Sequence, residues 1–377
     1  MYELNPVGRV RDVPREEWDG LAGGDASPFV EWTWLDCLEE AGCVGQKAGW
    51  LPVHLVLKRD KKTVALAPAY AKTNSEGEFV FDWSWADFSH RAGVPYYPKL
   101  VLAVPFTPAT GSRLFVAEGE DRAALTFALT EGIRKWSAEI GASGAHVLFP
   151  PAREAAEWRA AGFSERYGVQ FHWARQGART WDEFLSRFTS KRRNQIKREA
   201  AQPAKDGVVI QTLRPEELTP AVVRAMYELY GNNVDKHYYG RRYLNLRFFE
   251  LVAERFKDRL VWVVARKGGE IVAGAFNAVK NDHLYGRYWG SSIELPFLHF
   301  NVCYYHGIRE CIERGIDVFE PGAGGEHKRA RGFDPTLTHS AHWIADPRVR
   351  SVVDSFLERE RQSVKDFIEG GDEGDPT

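Results

Sequence analysis

Cysteine is scarce, with four in 377 residues. Cys37, Cys43, Cys303 and Cys311 form two distant pairs without CxxC spacing, so neither a zinc site nor a disulfide framework is indicated and no metal is expected. Long apolar runs are missing too: 260–265 is typical of the longest, against the ~18 residues needed to span a bilayer. The opening Met1-Tyr-Glu-Leu-Asn-Pro lacks the basic start and apolar core of a signal peptide. Neither sign of charge dominates, 50 Lys+Arg standing against 52 Asp+Glu for a formal net charge of -2. That balance argues against a protein coated in positive charge for non-specific nucleic-acid binding. A soluble, cytoplasmic chain is expected.

Hydrophobic residues make up 44% of the sequence, too many for disorder. At ~100–200 residues per domain the length suggests two domains. Aromatics are abundant and clustered: 13 Trp, 14 Tyr and 22 Phe. Phe79-Val-Phe-Asp-Trp-Ser-Trp-Ala-Asp-Phe88 and Tyr96-Tyr-Pro-Lys99 place acids and a lysine among large rings. Asp82, Trp83, Trp85, Asp87, Tyr97 and Lys99 are therefore candidates to wall a ligand cleft, though domain-interface packing accounts for such rings equally well.

Periodicity yields an element order that runs twice. In the first half the pattern predicts a strand over 7–13, a short helix from Arg15 and a helix over 31–41. A hairpin over 52–58 and 63–72 turns at Asp60-Lys-Lys, and strands follow over 79–83 and 100–104. A long amphipathic helix covers 121–140, with Leu125, Leu129, Ile133 and Trp136 on one stripe. Strand 146–149, helix 152–160 and strand 168–174 complete this half. The second half predicts a basic helix over 181–199, strand 208–213, helices 220–230 and 241–256, and strands 260–266, 270–279 and 284–290. Helix 299–313 and strands 317–320 and 338–344 follow, then a charged helix over 347–368 and a disordered acidic tail over 370–377. Strands grouped as hairpins imply a duplicated α+β domain rather than parallel βαβ winding.

This order resembles the GCN5-related N-acetyltransferase (GNAT) fold, and particular residues narrow the resemblance. Lys191-Arg-Arg-Asn-Gln-Ile-Lys-Arg198 followed by Asp206-Gly-Val-Val-Ile210 is similar to the signature opening the second domain of the Fem family, the aminoacyl-tRNA-dependent transferases that extend peptidoglycan precursor peptides. Ile271-Val-Ala-Gly-Ala-Phe276, Tyr285-Gly-Arg-Tyr-Trp-Gly290 and Phe319-Glu-Pro-Gly-Ala-Gly-Gly325 continue it in order. Phe81-Asp-Trp83, Tyr96-Tyr-Pro-Lys-Leu100, Val104-Pro-Phe-Thr-Pro108 and Gly325-Glu-His-Lys328 match the branch described as peptidoglycan biosynthesis/recognition proteins.

The resemblance implies two tandem GNAT-like domains, each a mixed, mostly antiparallel sheet flanked by helices, over 1–175 and 176–346, with 347–377 as terminal helix and tail. It implies an amide-forming acyltransferase with no permanently bound cofactor, aminoacyl-tRNA or acyl-CoA serving as co-substrate. The acceptor would be a small-molecule or peptide amine such as a cell-wall precursor or an amino-acid-derived metabolite. Two alternatives stand beside it: an acyl-CoA-dependent N-acyltransferase with a modified pyrophosphate site, and a non-catalytic module recognising peptidoglycan precursor or nucleotide sugar. Residues 207–289 leave no room for the helical arm that often interrupts the second Fem domain. His327-Lys328 is the nearest counterpart of the Phe-Lys pair late in the Fem signature.

Acetyl-CoA-using members of the fold carry an Arg/Gln-x-x-Gly-x-Gly/Ala loop whose N–H groups hold pyrophosphate. Neither Pro105-Phe-Thr-Pro-Ala-Thr-Gly-Ser-Arg113 nor Ser291-Ser-Ile-Glu-Leu-Pro-Phe297 matches it. Lys191, Arg192, Arg193, Asn194, Lys197 and Arg198 crowd one predicted helix with no acid among them, and phosphate would offset their repulsion; a solvated face paired with Glu183 or Glu199 is the plainer account. On that helix Arg187, Lys191, Asn194 and Arg198 would share a face. From Glu320 to Phe333 a glycine-rich loop leads into acids and bases. Glu320 or His327 could deprotonate an attacking amine, and Lys328 could neutralise an oxyanion or leaving group, with Arg331 nearby for substrate; a surface turn with local ion pairs would look the same. Period-two alternation would put Tyr285, Arg287 and Trp289 on one strand face, as a carboxylate holder or as cation–π packing. His339 and His342 would point to opposite faces, Cys303 and Cys311 are expected in helix packing, and no nucleophile elbow is present, which favours direct transfer.

Overall fold

The computed structural model describes residues 2–25, 27–236 and 240–370, so the expected acidic tail lies outside the described residues beyond Gly370. The chain divides into two α+β units, one formed by Met1–Gln170 with Thr336–Thr377 and the other by Phe171–Pro335. This differs from a partition at 1–175, 176–346 and 347–377. The C-terminal segment belongs to the first unit because its strand finds a partner there.

In the first unit the order is β1 (Tyr2–Val7), α1 (Arg15–Ala22), α2 (Trp32–Glu40), β2 (Trp50–Pro52), β3 (His54–Arg59), β4 (Lys62–Ala67), β5 (Ala69–Lys72), α3 (Trp83–Arg91), β6 (Lys99–Leu102), β7 (Phe115–Val116), α4 (Arg122–Ile140), β8 (Gly144–Leu148), α5 (Ala152–Ala160) and the start of β9 (Ser164–Ala174), whose residues from Phe171 belong to the second unit. Asp60 and Lys61 both take positive φ, 52° and 66°, the twist a two-residue hairpin needs between β3 and β4. Strands β1, β3, β4 and β7 form an antiparallel sheet in that order. Leu55, Leu57, Leu100, Leu102, Ala145 and Val147 meet the Leu125/Leu129/Ile133 stripe of α4 in one core. Asp121 caps α4 by accepting from the N–H groups of Ala123 and Ala124, and Gly141 ends it at φ 69°, the left-handed stop that glycine allows.

The second unit continues with α6 (Trp181–Ser186), α7 (Ser190–Lys205), β10 (Val208–Thr212), α8 (Pro220–Asp235), α9 (Leu246–Arg255), β11 (Leu260–Lys267), β12 (Glu270–Lys280), β13 (His283–Ser291), α10 (Leu298–Phe300), α11 (His306–Arg314) and β14 (Val318–Glu320). Strands β10 to β13 pair antiparallel in sequence order, and β14 joins β13 in parallel. Strand β15 (Asp334–Ile344) leads back to the first unit, where Ser340–Ile344 pair with β8, and α12 (Pro347–Glu369) ends the described chain. Among the described residues no helix is long and apolar enough to cross a membrane.

Several expected elements change. Residues 2–7, not 7–13, form the first strand, and Val10–Asp12 is a short 3₁₀ turn. The predicted strand over 79–83 is absent; Trp83 instead begins α3. The predicted basic helix 181–199 is two helices. Thr180 caps the first and Thr189, with extended backbone, caps the second by accepting from Arg192 N–H, a local bond that competes with continuing the helix. Arg187 therefore does not share a helical face with Lys191, Asn194 and Arg198. The helix expected over 241–256 starts only at Leu246, capped by Asn245. That expected over 299–313 begins as α10 and passes through a π turn, Asn301–Tyr305, before α11.

Candidate functional site

The second unit holds a cavity that the strand geometry opens. Strands β13 and β14 pair through His283/Val318, Leu284/Phe319 and Tyr285/Glu320. Then β14 ends and Pro321 turns away while β13 runs on to Ser291. The two backbones separate beside Gly286, where a Cβ would lie 3.1–3.3 Å from Pro321 backbone atoms. At Gly290 a Cβ would lie 1.7 Å from the Leu229 carbonyl oxygen, so only glycine lets α8 close the cavity from that side. The resulting space of about 490 Å³ is lined by parts of α8, β12, β13, α10, the π turn and the 321–328 loop.

Polar groups converge on it. Lys328 is buried, and its ammonium donates to the carbonyls of Gly322 at 2.7 Å and Ala323 at 3.4 Å. Burial pushes it down to about 8, because an ammonium is poorly solvated there. His327 shares a 3.1 Å hydrogen bond with the Tyr304 hydroxyl. Burial first, then the charges of Arg331 and Lys328, lower the His327 ring below the usual histidine range. His299, whose ring centroid lies 4.6 Å from that of Trp289, is lowered to about 4, mainly by burial. Both rings are therefore neutral near pH 7 and able to accept a proton. Cys303 lines the space with its thiol raised by burial, the opposite of an activated nucleophile. Among the described lining residues Lys328 and Arg287 are cations and none is Asp or Glu.

The other expected members fall as follows. Glu320 is buried, with one carboxylate oxygen 3.9 Å from His172, and it does not line the cavity. Arg287 and Trp289 do line it, but Tyr285 does not. The register slips between Phe276 and Asn277, which pair with Tyr288 and Gly286, leaving Arg287 as the extra residue. This bulge breaks the two-residue alternation that would have put Tyr285 on the same face. Arg331 is turned away from substrate space: it pairs with Glu199 at 3.0 Å, donates to the His327 carbonyl at 2.7 Å and lies over the Phe300 ring. None of Lys191, Arg192, Arg193, Asn194, Lys197 or Arg198 lines the cavity. Lys191, Asn194, Lys197 and Arg198 are exposed on α7, while Arg193 donates to the Phe188 carbonyl and Arg192 to Gln195. Sequence reasoning missed His299, Tyr304, Tyr230 and Asn233, which lie on helices whose periodicity reads as plain packing. The available signal was the pair of glycines, Gly286 and Gly290, inside one strand.

The first-unit candidates form a separate cluster. Lys99, fully buried, donates to Glu78 at 2.9 Å, to Ser75 at 3.2 Å and to Asp82. Tyr96 adds a 2.6 Å bond to Asp82, and the Tyr97 hydroxyl meets Ser75 at 2.7 Å. Asp82 occupies the N-cap position of α3 but makes no cap bond, because its side chain is committed to Lys99 and Tyr96. Trp85 is buried edge-on to His342, whose Nδ1 is 2.8 Å from that of His146. His339 goes elsewhere, to Glu165 at 2.9 Å. Trp83 and Asp87 are exposed, Asp87 lying 3.7 Å from Arg91. Asp82, Trp85 and Lys99 thus act inside the fold of their unit.

A family profile for FemAB-like proteins, described as peptidoglycan biosynthesis/recognition, matches residues 9–376. No curated protein matches the sequence. Among solved structures, the C-terminal domain of a protein described as a lysylphosphatidylglycerol synthetase from Agrobacterium fabrum is 11% identical with a TM-score of 0.55, covering 95% of this chain and 98% of that one. FemX is 12% identical with a TM-score of 0.54, at 91% and 98% coverage. L-PGS from Bacillus licheniformis is 10% identical with a TM-score of 0.54, at 94% and 98%. At such identities the likeness is one of fold, and the two α+β units with mixed, mostly antiparallel sheets flanked by helices are as the element order indicated.

Proposed function

The chain belongs to the FemAB-like family, and from that premise we propose that it is an amide-forming transferase that moves an aminoacyl or acyl group directly onto an amine. The observation that carries this reading is the cavity between the diverging β13 and β14. It offers a buried ammonium, neutral imidazoles and no carboxylate among its described lining residues. Amide formation requires an unprotonated amine, a partner for the tetrahedral oxyanion and a proton for the leaving oxygen. Lys328 meets the second need as a donor aimed into the cavity, and it can supply the third because it titrates close to neutrality. His327, with Tyr304 fixing its ring, takes the proton from the amine; Glu320, outside the lining, does not compete for that role. A cell-wall precursor amine is the acceptor that family membership suggests.

For the donor, aminoacyl-tRNA is preferred over acyl-CoA. The 291–297 segment lacks the glycine pattern of a pyrophosphate loop and carries Glu294, which would repel the phosphates. The exposed cations of α7 are the proposed phosphate contacts. A panel of radiolabelled aminoacyl-tRNAs and acyl-CoAs with peptide and sugar-linked amines tests this directly. Transfer from aminoacyl-tRNA supports the proposal, and transfer only from acyl-CoA would move the chain to the acyl-CoA class. Tight binding of precursor or nucleotide sugar without turnover from either donor would make it a recognition module.

A further inference from the structure

The turn that carries Lys328 is closed by its own backbone, Lys328 N–H donating to the Gly325 carbonyl at 3.0 Å and Phe333 N–H to the Lys328 carbonyl at 3.2 Å. Glu326–Arg331 form a short 3₁₀ segment between Gly325 and Gly332, both left-handed at φ 89° and 86°, and the ammonium donates to two loop carbonyls. The side-chain tie at its far end runs to α7. Glu199, 3% exposed on that helix, accepts from Arg331 at 3.0 Å, the Tyr305 hydroxyl at 2.5 Å and the Gln195 amide at 3.0 Å. A different nitrogen of Arg331 donates at 2.7 Å to the carbonyl of His327, the peptide that leads directly into Lys328. The guanidinium also stacks 3.4 Å above the Phe300 ring centroid. Only a planar fork can meet a carboxylate, a carbonyl and a ring face together. A buried ion pair adds little net stability, and its best-attested use is to specify one arrangement.

We propose that Glu199 and Arg331 are positioning residues for Lys328, the pair locking the 326–331 turn to α7 so that the ammonium stays inside the cavity. The reading of Lys328 as the cation of the reaction site rests on the proposed transfer chemistry, but its placement by this pair does not. Lys328 is faced by His172 of β9, Arg287 of β13, His299 of α10 and Cys303 of the π turn, with His327 and Arg331 on its own turn. The three histidines are neutral at pH 8 and the thiol stays protonated, so Lys328 titrates against a constant background.

The test needs no substrate. The full-length chain is acetylated with trace acetic anhydride from pH 6 to pH 11, and the rate at Lys328 is read by peptide mass spectrometry. Native protein should show an inflection near 8. In Glu199→Gln and Arg331→Gln it should rise by about 1–2 pH units toward the ordinary lysine value, with faster labelling at the plateau. Arg331→Lys, a milder change that keeps the charge but loses the planar fork of two separate nitrogens, should shift it in the same direction. Tyr305→Phe removes another partner of Glu199 and should leave the inflection in place. An unchanged inflection in Arg331→Lys or in folded Gln variants overturns the proposal, as does an equal shift in Tyr305→Phe, which would signal general loosening. Absence of transferase activity leaves the test intact, so the two readings fail separately.

Discussion

Replacing Lys99 by methionine removes the charge at the centre of the first unit while nearly keeping its volume. Lys99 has no solvent exposure and sits between Glu78 and Asp82, themselves 4% and 2% exposed. The variant leaves two buried carboxylates with the Lys72 ammonium, 3.8 Å from Glu78, as the neighbouring cation among the described residues. Breaking a buried ion pair by deleting one partner costs about 3–5 kcal/mol. The pH dependence sharpens the test. Burial holds the Glu78 carboxyl up at about 7 despite Lys99, so its folded value lies above its unfolded one and its contribution declines as pH rises through 4.5–7. Burial also opposes ionisation of Asp82, but Lys99 more than offsets that and holds it at about 2. Its contribution is present above the unfolded value of 3.8 and is lost only as pH falls through about 2. Without Lys99 both carboxyls rise, so the deficit of Lys99→Met should be largest at pH 8 and should shrink at pH 5, where the folded state can protonate them. Hydrogen exchange of β5 and β6 peptides in increasing urea reads this unit alone. A Lys99→Met protein within about 1 kcal/mol of native at pH 8, or a deficit that grows on acidification, would refute the argument.

Other outcomes follow from the same geometry. Gly290→Ala should destabilise the second unit by about 1–3 kcal/mol, since its Cβ meets the Leu229 carbonyl, whereas Gly286→Ala, facing Pro321 at 3.1 Å, should cost less; paired urea melts would show the order, and equal costs would contradict it. Lys328→Ala should lower turnover more than binding if the ammonium acts on the transition state; unchanged turnover at saturation would reduce it to a substrate contact. Lys191→Ala with Arg192→Ala should weaken phosphate-ligand binding and flatten its salt dependence, and unchanged affinity across a salt series would remove α7 from the donor site.

Much of this protein was legible before its fold. The α4 stripe of Leu125, Leu129 and Ile133, the Asp60-Lys61 hairpin and the twice-run element order depend on local periodicity and turn chemistry, which a linear chain displays directly. Family membership was legible for the same reason, in blocks such as Tyr285-Gly-Arg-Tyr-Trp-Gly290. Only the folded chain decided the rest. It divided the crowded cations of α7 from the cavity and recruited Glu199, an acid at the end of that basic run, to hold Arg331. It also set Lys99 between two carboxylates within its own unit. Whether a charge faces solvent, a partner or a cavity depends on groups tens or hundreds of residues away, and a bulge of one residue at Arg287 is enough to turn a side chain to the other face.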